Sequence, residues 1–158
     1  MNKQVELQDL GQKDYKETWD FQENLFQSIL DTKIKNRRQG TNFQTKNYFL
    51  FVEHPHVYTL GKSGDMSNLL VDENQLAEKN ASFYKVNRGG DITYHGPGQI
   101  VGYPIINLSL WKEDTHEYLR ALEEVIIQTL AEYGIEGVRN EVHTGVWVND
   151  KKICAIGI

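Results

Sequence analysis

The polar and apolar positions near the start of the chain follow a helical period. Asp14 and Glu17 have the spacing of a capping box, in which side chains satisfy the free N–H groups of a first helical turn. A cationic run at residues 33–38 and then Gly40 mark the end of the segment, because cations and glycine both favour helix C-termini. The apolar residues between these limits recur at roughly helical spacing: Trp19, Leu25, Phe26, Ile29 and Leu30. The pattern predicts a first long helix.

A second and clearer helix is predicted from about Thr115 to Tyr133. Asp114 and Glu117 again have capping-box spacing, and Gly134 fits the position just beyond the last turn. The apolar positions form one stripe: Tyr118, Leu122, Val125, Ile126, Leu130 and Tyr133. The stripe predicts a helix that packs one face against a core.

Short β-branched and aromatic runs predict strands around these helices. The predicted strands are residues 47–53, 83–87 and 100–108, followed by a hairpin of residues 142–148 and 152–158. Pro104 indicates an edge strand or a bulge, and the hairpin turns across Asn149 and Asp150. Because strands and helices do not alternate regularly, the chain predicts an α+β fold with a mixed sheet.

Composition narrows the class of protein. With 158 residues, the chain is expected to form a single domain over residues 1–158. A net charge of −5 argues against general nucleic-acid binding, which favours a basic surface. One cysteine permits no internal disulfide, and the N-terminus lacks the apolar core of a secretory signal. The longest apolar run, residues 48–52, is too short to span a membrane. We therefore expect a cytoplasmic protein.

The strongest chemical signal is the segment RGGDITYHGPGQIVGYPIIN at residues 88–107. It mixes glycines and a proline with polar side chains such as Arg88, Asp91 and His95, and apolar stretches flank it. Glycine lets a backbone approach a ligand closely and adopt positive φ, whereas a core strand gains nothing from so many glycines. The segment is typical of one wall of a small-molecule site. The alternative is a wide, irregular β-turn.

Four further segments of the chain, like the glycine-rich segment, match motifs of one known family. They are YKETWDFQ at residues 15–22, EHPHVYTLGK at 53–62, LEEVIIQTLAEYGIEG at 122–137 and TGVWVNDKKICAIGI at 144–158. Together with the glycine-rich segment they resemble the lipoyl(octanoyl) transferases of lipoate synthesis. The resemblance implies the fold of the biotin/lipoate protein-ligase catalytic domain.

The resemblance also implies a set of functional residues. The substrate-binding residues would be Arg88, Gly89, Gly90, Asp91, Ile92, Thr93, Tyr94 and His95, together with Ala155, Ile156 and Gly157. Lys152 would lower the pKa of a nucleophilic cysteine, because a nearby ammonium favours the thiolate. The Pro-Cys-Gly motif that carries this cysteine in the family is absent from the 158 residues. We therefore expect the nucleophile to lie beyond residue 158, in a domain truncated at its C-terminus.

The implied reaction is an acyl transfer without a metal or another cofactor. The cysteine would take octanoate from octanoyl-acyl carrier protein and pass it to a lysine of a lipoyl domain. The implied acceptors are lipoyl domains of 2-oxoacid dehydrogenase complexes and the glycine-cleavage H protein, with no nucleic-acid or membrane partner. Backbone N–H groups of Gly89 and Gly90 would suit an oxyanion. An apolar groove for the octyl chain would be lined by Tyr94, Ile100, Val101 and Tyr103.

Two other functions stay open at this stage. An ATP-dependent lipoate or biotin ligase shares the implied fold, but lipoate ligases have a double arginine, a triple glycine and a His-Asp-x-Gly-Asn motif. Here Arg88 precedes only two glycines and residues 95–99 are HGPGQ, which favours the transferase. The third possibility is an inactive fragment that binds acyl groups or a carrier protein.

Two histidines and the cysteine are ambiguous. His54 and His56 have the spacing of a metal-binding pair on a strand, but no third ligand cluster follows, which favours structural roles. Strand alternation predicts Lys152 and Cys154 on one face. We nevertheless expect Cys154 to be a packing residue, because free cysteine is usually buried and the family's nucleophile lies further along the chain.

Overall fold

A computed structural model describes residues 3–111 and 113–158. Residues 3–111 form one compact unit and residues 113–158 form a second. The first unit contains β1 (Glu6–Gln12), α1 (Tyr15–Gln39), β2 (Tyr48–Glu53), β3 (Val57–Leu60), α2 (Glu73–Glu78), β4 (Ser82–Lys85), β5 (Ile92–His95) and β6 (Val101–Ile105). The second contains α3 (Thr115–Glu132), β7 (Val146–Val148) and β8 (Lys151–Cys154). Single 3₁₀ turns span Met66–Asn68 and Leu108–Leu110. The single domain expected over residues 1–158 stays a prediction.

Helix α1 begins and ends where the sequence pattern predicts. The Asp14 carboxylate accepts hydrogen bonds from the N–H groups of Lys16 and Glu17, at 2.8 and 3.1 Å. These bonds satisfy N–H groups that have no partner within the helix. At the other end Gly40 has a φ of 63°, the left-handed conformation in which glycine is favoured. The caps place Tyr15 at the first helical position of α1.

Two three-stranded mixed sheets confirm the predicted α+β class. In the first sheet β2 pairs in parallel with β1 and antiparallel with β6. In the second, β3 pairs in parallel with β4 and antiparallel with β5. Pro104 lies in β6, at the edge of the first sheet, where its missing N–H breaks no ladder bond. The sequence pattern missed β1, β3 and β5, which are short or polar and gain their structure by pairing.

The core of the first unit forms between α1 and the sheet that contains β2. Alternate residues of β2 are buried, and Leu50 is fully enclosed. Ile29 of α1 and Tyr48 join Leu50 in the buried cluster. Partly buried side chains complete it: Leu10, Phe21, Leu25, Tyr103 and Ile105. Burial of these apolar groups away from water stabilises the packing of helix on sheet.

The second unit departs from its predicted pattern. Helix α3 has the predicted Asp114 cap and the predicted Gly134, with a φ of 70°, just beyond its end. However, Val125 and Tyr133 of the predicted stripe are largely exposed, and the fully buried side chain is that of Glu123. The predicted hairpin is present, but β7 and β8 are shorter than residues 142–148 and 152–158.

No helix in residues 3–111 and 113–158 is long and apolar enough to cross a membrane. The longest helix, α1, carries charged residues on much of its length, including Lys33, Lys35 and Arg37.

Replacing Leu50 by Ala tests the position of the core. Leu50 is 0% exposed, and a buried leucine truncated to alanine costs about 2–5 kcal/mol, because transfer energy is lost and a cavity remains. Urea unfolding should show this loss. The matched control is Leu70→Ala, since Leu70 is 89% exposed and its truncation should change the free energy of unfolding by less than about 0.5 kcal/mol. Equal effects of the two variants would contradict the proposed core.

Candidate functional site

The glycine-rich segment packs its backbone against a neighbouring turn in the first unit. The N–H groups of Gly61, Lys62 and Ser63 donate to the carbonyls of Asp91, Arg88 and Gly90, at 3.1, 3.1 and 3.3 Å. A Cβ on Gly61 would collide with the Gly90 carbonyl oxygen. Gly61 is therefore required by the close approach of two backbones, and residues 88–91 form a defined loop.

Arg88 fixes this loop, hereafter the glycine loop (residues 88–91), to strand β3. Its Nη2 donates to the carbonyl oxygens of Thr59 and Asp91, at 2.8 and 2.9 Å, and also to the Thr59 hydroxyl at 2.8 Å. Its Nη1 donates to the Gly89 carbonyl at 2.9 Å. Partial burial lowers the pKa of Arg88, and the nearby Tyr15, Tyr103 and Asp91 oppose that effect. An arginine remains charged in proteins, so the loop carries a fixed cation.

The loop leaves two N–H groups uncommitted. Gly90 has a φ of 84°, and its carbonyl accepts from Ser63, while the Gly89 carbonyl accepts from Arg88. Within residues 3–111, the hydrogen bonds of this loop use the two carbonyls and not the two N–H groups. Adjacent backbone N–H groups beside a cation are suited to binding an anionic oxygen.

Strand β5 divides the predicted substrate residues between two faces. It pairs with β3 along its whole length, with Tyr94 opposite Tyr58 and His95 opposite Val57. Successive strand residues point to opposite faces, so the side chains of Tyr94 and His95 diverge. The Tyr94 hydroxyl lies 2.6 Å from His56 Nδ1. A shallow cavity of about 410 Å³ is present there, lined by His56, Tyr58, Lys79, Ala81 and Tyr94.

The ring of His95 is neutral and has a defined tautomer. Its Nδ1 lies 2.6 Å from Gln99 Oε1, an acceptor, so Nδ1 carries the proton and Nε2 has the free lone pair. Burial lowers the pKa of His95 below its ordinary value, against the Gln99 bond, and the neighbouring His54 ring and the Arg88 charge act in the same direction as burial. In this state His95 offers an acceptor atom, Nε2.

His95 belongs to a cluster of rings on its face of β5. Tyr15 at the start of α1 is stacked with His95 at 6.3 Å and with Tyr84 at 5.4 Å between ring centroids. His54 meets both Tyr15 and His95 edge-on, at 5.2 and 5.9 Å. We call this group, with Tyr103, the aromatic–imidazole cluster: Tyr15, His54, Tyr84, His95 and Tyr103. Such offset and edge contacts are the favoured geometries for π systems.

His54 is the most buried member of the cluster and is also neutral. Its Nδ1–H donates to the Lys13 carbonyl at 2.8 Å, so its Nε2 accepts from the Tyr103 hydroxyl at 3.0 Å. Burial lowers the pKa of His54, and it raises the pKa of Tyr103 well above its ordinary value. Both groups are therefore held uncharged, and the pair orders the inner wall of the cluster.

Sequence reasoning did not single out Tyr15, Tyr84 or His54 as site residues. Tyr15 and His54 do lie within two of the family-like segments, which was the available signal. His54 and His56 contact different groups, the Lys13 carbonyl and the Tyr94 hydroxyl respectively. Across the described part of the chain, no group of three or more His, Cys, Asp or Glu side chains is arranged to hold a metal ion.

The remaining predicted residues belong to the second unit. Lys152 lies on β8 opposite Trp147 of β7, and its Nζ is 4.7 Å from the centroid of the indole ring. Ala155, Ile156 and Gly157 follow directly after β8. The predicted roles of all these residues in substrate binding stay predictions.

The prediction that Lys152 and Cys154 share a face is wrong. Val146 pairs with Cys154 and Trp147 pairs with Lys152, so Ile153 is an extra residue that forms a β-bulge. Adjacent residues of β7 point in opposite directions, and so do their partners. Burial raises the pKa of the Cys154 thiol and the Glu123 carboxylate adds to that effect, and together they outweigh the charge of Lys152, which lowers it. Few Cys154 side chains are therefore thiolates at neutral pH, as expected for a packing residue.

Comparison with known proteins gives three findings. The sequence profile of the lipoyl protein ligase A/B catalytic domain matches residues 14–158. The octanoyltransferases of Flavobacterium psychrophilum and Christiangramia forsetii are 66% and 63% identical to this chain, over 100% of it and 70% of each relative. The bipartite lipoate protein ligase of Thermoplasma acidophilum has a TM-score of 0.62 at 14% identity, over 94% of this chain and 52% of that chain. The last similarity shows the fold alone.

The two neutral histidines predict a pH-dependent stability. Their folded-state pKa values lie below the unfolded value of about 6.5, so the unfolded chain takes up protons first as the pH falls. The contribution is present above pH 6.5 and is lost below it, toward the folded pKa values. Urea unfolding should therefore give a lower free energy of unfolding at pH 5.5 than at pH 7.5. His95→Phe should weaken this dependence, and an unchanged dependence would count against a buried neutral His95.

Proposed function

This chain belongs to the lipoyl protein ligase A/B catalytic-domain family, and we propose that it acts as an octanoyltransferase. The observation that carries the proposal is its high identity, over the whole chain, to two proteins named octanoyltransferase. Both relatives are acyltransferases by name, and the glycine loop and Lys152 carry groups suited to acyl transfer. We propose that residues 1–158 are part of one catalytic domain.

The proposed reaction proceeds in two balanced steps. A cysteine thiolate attacks the carbonyl carbon of an octanoyl thioester, a new C–S bond forms, and the carrier's thiol leaves with a proton. The amine of an acceptor lysine then attacks the acyl-enzyme, an amide bond forms, the amine loses a proton and the cysteine is released. Thioester to amide is downhill, so the transfer needs no ATP.

The glycine loop is proposed to stabilise the oxyanion of both steps. The N–H groups of Gly89 and Gly90 are not used within the loop, and the Arg88 guanidinium fixes the adjacent carbonyls. Donors that are already oriented stabilise a developing negative charge without a reorganisation cost during the reaction. In this proposal Arg88 acts by holding the loop and by its charge, and Asp91, Ile92 and Thr93 continue the same wall.

His95 is proposed to orient an N–H group of a substrate. Its Nδ1–H is bonded to Gln99, so its Nε2 is available as an acceptor beside Tyr15 and His54. A neutral imidazole with this tautomer can also take a proton from an attacking amine. The aromatic–imidazole cluster would then support His95, whereas Tyr94 faces the other side of β5 and its predicted substrate contact would be through its backbone.

Lys152 is proposed to favour the thiolate form of the nucleophile, with Ala155, Ile156 and Gly157 as neighbouring substrate contacts. The nucleophile itself is proposed to be the cysteine that the resemblance predicts beyond residue 158, and not Cys154. The environment of Cys154 supports this assignment, because burial and Glu123 favour its thiol form and outweigh the opposing charge of Lys152.

The proposed partners follow from the reaction. The octanoyl donor would be octanoyl-acyl carrier protein and the acceptor a lipoyl domain. We propose as acceptors the lipoyl domains of 2-oxoacid dehydrogenase complexes and the glycine-cleavage H protein. We propose a cytoplasmic location, in which both kinds of partner are accessible.

A direct assay distinguishes transfer from ligation. Octanoyl-acyl carrier protein and a lipoyl domain are mixed, without ATP, with a form of the enzyme that includes the predicted cysteine, and intact masses are recorded. We expect one octanoyl group on the lipoyl domain, and the same result after Cys154→Ala. Modification that requires free lipoic or octanoic acid and ATP would instead indicate a ligase. An octanoyl adduct on Cys154 in the 158-residue chain would overturn the assignment of Cys154 as a packing residue.

Replacing Gly90 by Val tests the glycine loop. A β-branched residue at a φ of 84° is strained by about 1–3 kcal/mol and would displace the loop N–H groups. We expect octanoyl transfer to fall by about tenfold or more while far-UV circular dichroism is retained. The matched control is Gly40→Val, which imposes comparable strain at a φ of 63° at the end of α1. Equal activity of the two variants would contradict a role for the loop.

A further inference from the structure

The hairpin of the second unit holds the Lys152 ammonium against an aromatic face. Lys152 and Trp147 are cross-strand partners, and Nζ lies 4.7 Å from the centroid of the indole ring. This is within the range of a cation–π interaction, for which tryptophan is the best partner. The Lys152 side chain is otherwise exposed, and an exposed lysine samples many rotamers. The indole therefore restricts where the ammonium resides.

Trp147 is itself held from two sides. Its N–H donates to the Val138 carbonyl at 2.8 Å, and its carbonyl accepts from the Val138 N–H at 2.9 Å. On the other side it pairs with Lys152 in the β7–β8 ladder. Because both backbone groups of Trp147 are bonded on the Val138 side, the position of its Cα and the direction of its Cα–Cβ bond are fixed relative to that segment.

A buried carboxylate fixes the start of the same strand. Glu123 Oε1 accepts the Gly145 N–H at 3.0 Å, and Oε2 accepts from Arg120 at 2.7 Å with Arg139 Nε at 3.3 Å. Burial raises the pKa of Glu123, but these bonds and charges outweigh burial and lower it overall, so the group stays ionised. Gly145 admits no side chain, because a Cβ there would collide with the Cys154 carbonyl. The backbone is therefore fixed at Gly145, the residue that directly precedes β7.

The turn then determines which lysine lies beside the ring. Asn149 and Asp150 both have positive φ, 47° and 63°, as in a two-residue hairpin turn. The turn pairs Val148 with Lys151 and Trp147 with Lys152, so only the second lysine lies beside the indole. We propose that Trp147 is a positioning residue that holds the Lys152 ammonium in place for the transfer reaction. The inference rests on the proposed role of Lys152.

The contact can be measured on the 158-residue chain without any acyl chemistry. Protons above an indole ring are shielded, so the Lys152 ε-CH₂ signals should be shifted upfield in the NMR spectrum, with Lys152→Met used for assignment. Trp147→Leu should abolish the shift, and Trp147→Phe should keep a smaller one. Lys151→Met is the matched control and should leave the shift intact. A Lys152 signal without a ring-current shift would overturn the proposal.

A double-mutant cycle separates positioning from a merely structural role. In the octanoyl-transfer assay, with the form of the enzyme that includes the predicted cysteine, Trp147→Leu should lower kcat about two- to tenfold, as expected for loss of one cation–π contact, with little change in KM for the carrier protein. Trp147→Phe should recover most of kcat. In a Lys152→Met background, Trp147→Leu should have no further effect, because the two residues act through one contact.

The outcomes of the cycle are distinct. A loss of the same size in both backgrounds would mean that Trp147 acts through folding alone, and the proposal would be wrong. If Lys152→Met does not slow transfer, the proposed role of Lys152 is wrong, and the positioning role falls with it even where the ring-current shift is present. If no variant or wild-type form transfers octanoate, the proposed function itself fails, while the NMR result still reports whether the contact exists.

Discussion

The guanidinium of Arg88 is the interaction on which the candidate site of the first unit depends. It bonds the carbonyls of Thr59, Gly89 and Asp91, and so joins the middle of β3 to the glycine loop. A planar group with five donors can satisfy several carbonyls at once, which a lysine ammonium cannot do in the same geometry. The Gly89 carbonyl accepts from Arg88 and the Gly90 carbonyl from Ser63, and the hydrogen bonds of the loop within residues 3–111 do not use the N–H groups of Gly89 and Gly90. The shape of the loop is therefore set by hydrogen bonds within the protein itself.

Burial imposes a second constraint around His95. The rings of Tyr15, His54 and His95 pack together, and an imidazolium placed among them would lose its hydration. Both histidines are therefore neutral. The Lys13 carbonyl next to His54 and the Gln99 amide oxygen next to His95 each accept from Nδ1 and so select the tautomer. As a result Nε2 of each ring is an acceptor, and its position decides which donor the ring can bind. Such control of a tautomer by a neighbouring group is a common requirement of sites that move protons.

The second unit shows how one extra residue changes the chemistry that a strand presents. Ile153 is bulged out of β8, so Lys152 follows Trp147 to one face and Cys154 follows Val146 to the other. The lysine is left exposed beside an indole, and the cysteine lies toward the buried Glu123, which raises its pKa.

The sequence by itself determined the features that depend on neighbouring residues. Helix α1 with its Asp14 and Gly40 caps, the hairpin turn at Asn149 and Asp150, and the edge position of Pro104 all follow from local backbone preferences. The glycine-rich segment likewise predicts a site from its composition, and that site stays a prediction. Only the tertiary structure decided what depends on contacts between distant segments. These contacts are the pairing of β1, β3 and β5, the ring cluster, the burial of Glu123 and the bulge at Ile153. They join residues far apart in the chain or shift a strand register by one position. Neither effect produces a periodic pattern of polar and apolar residues that could be recognised in the sequence.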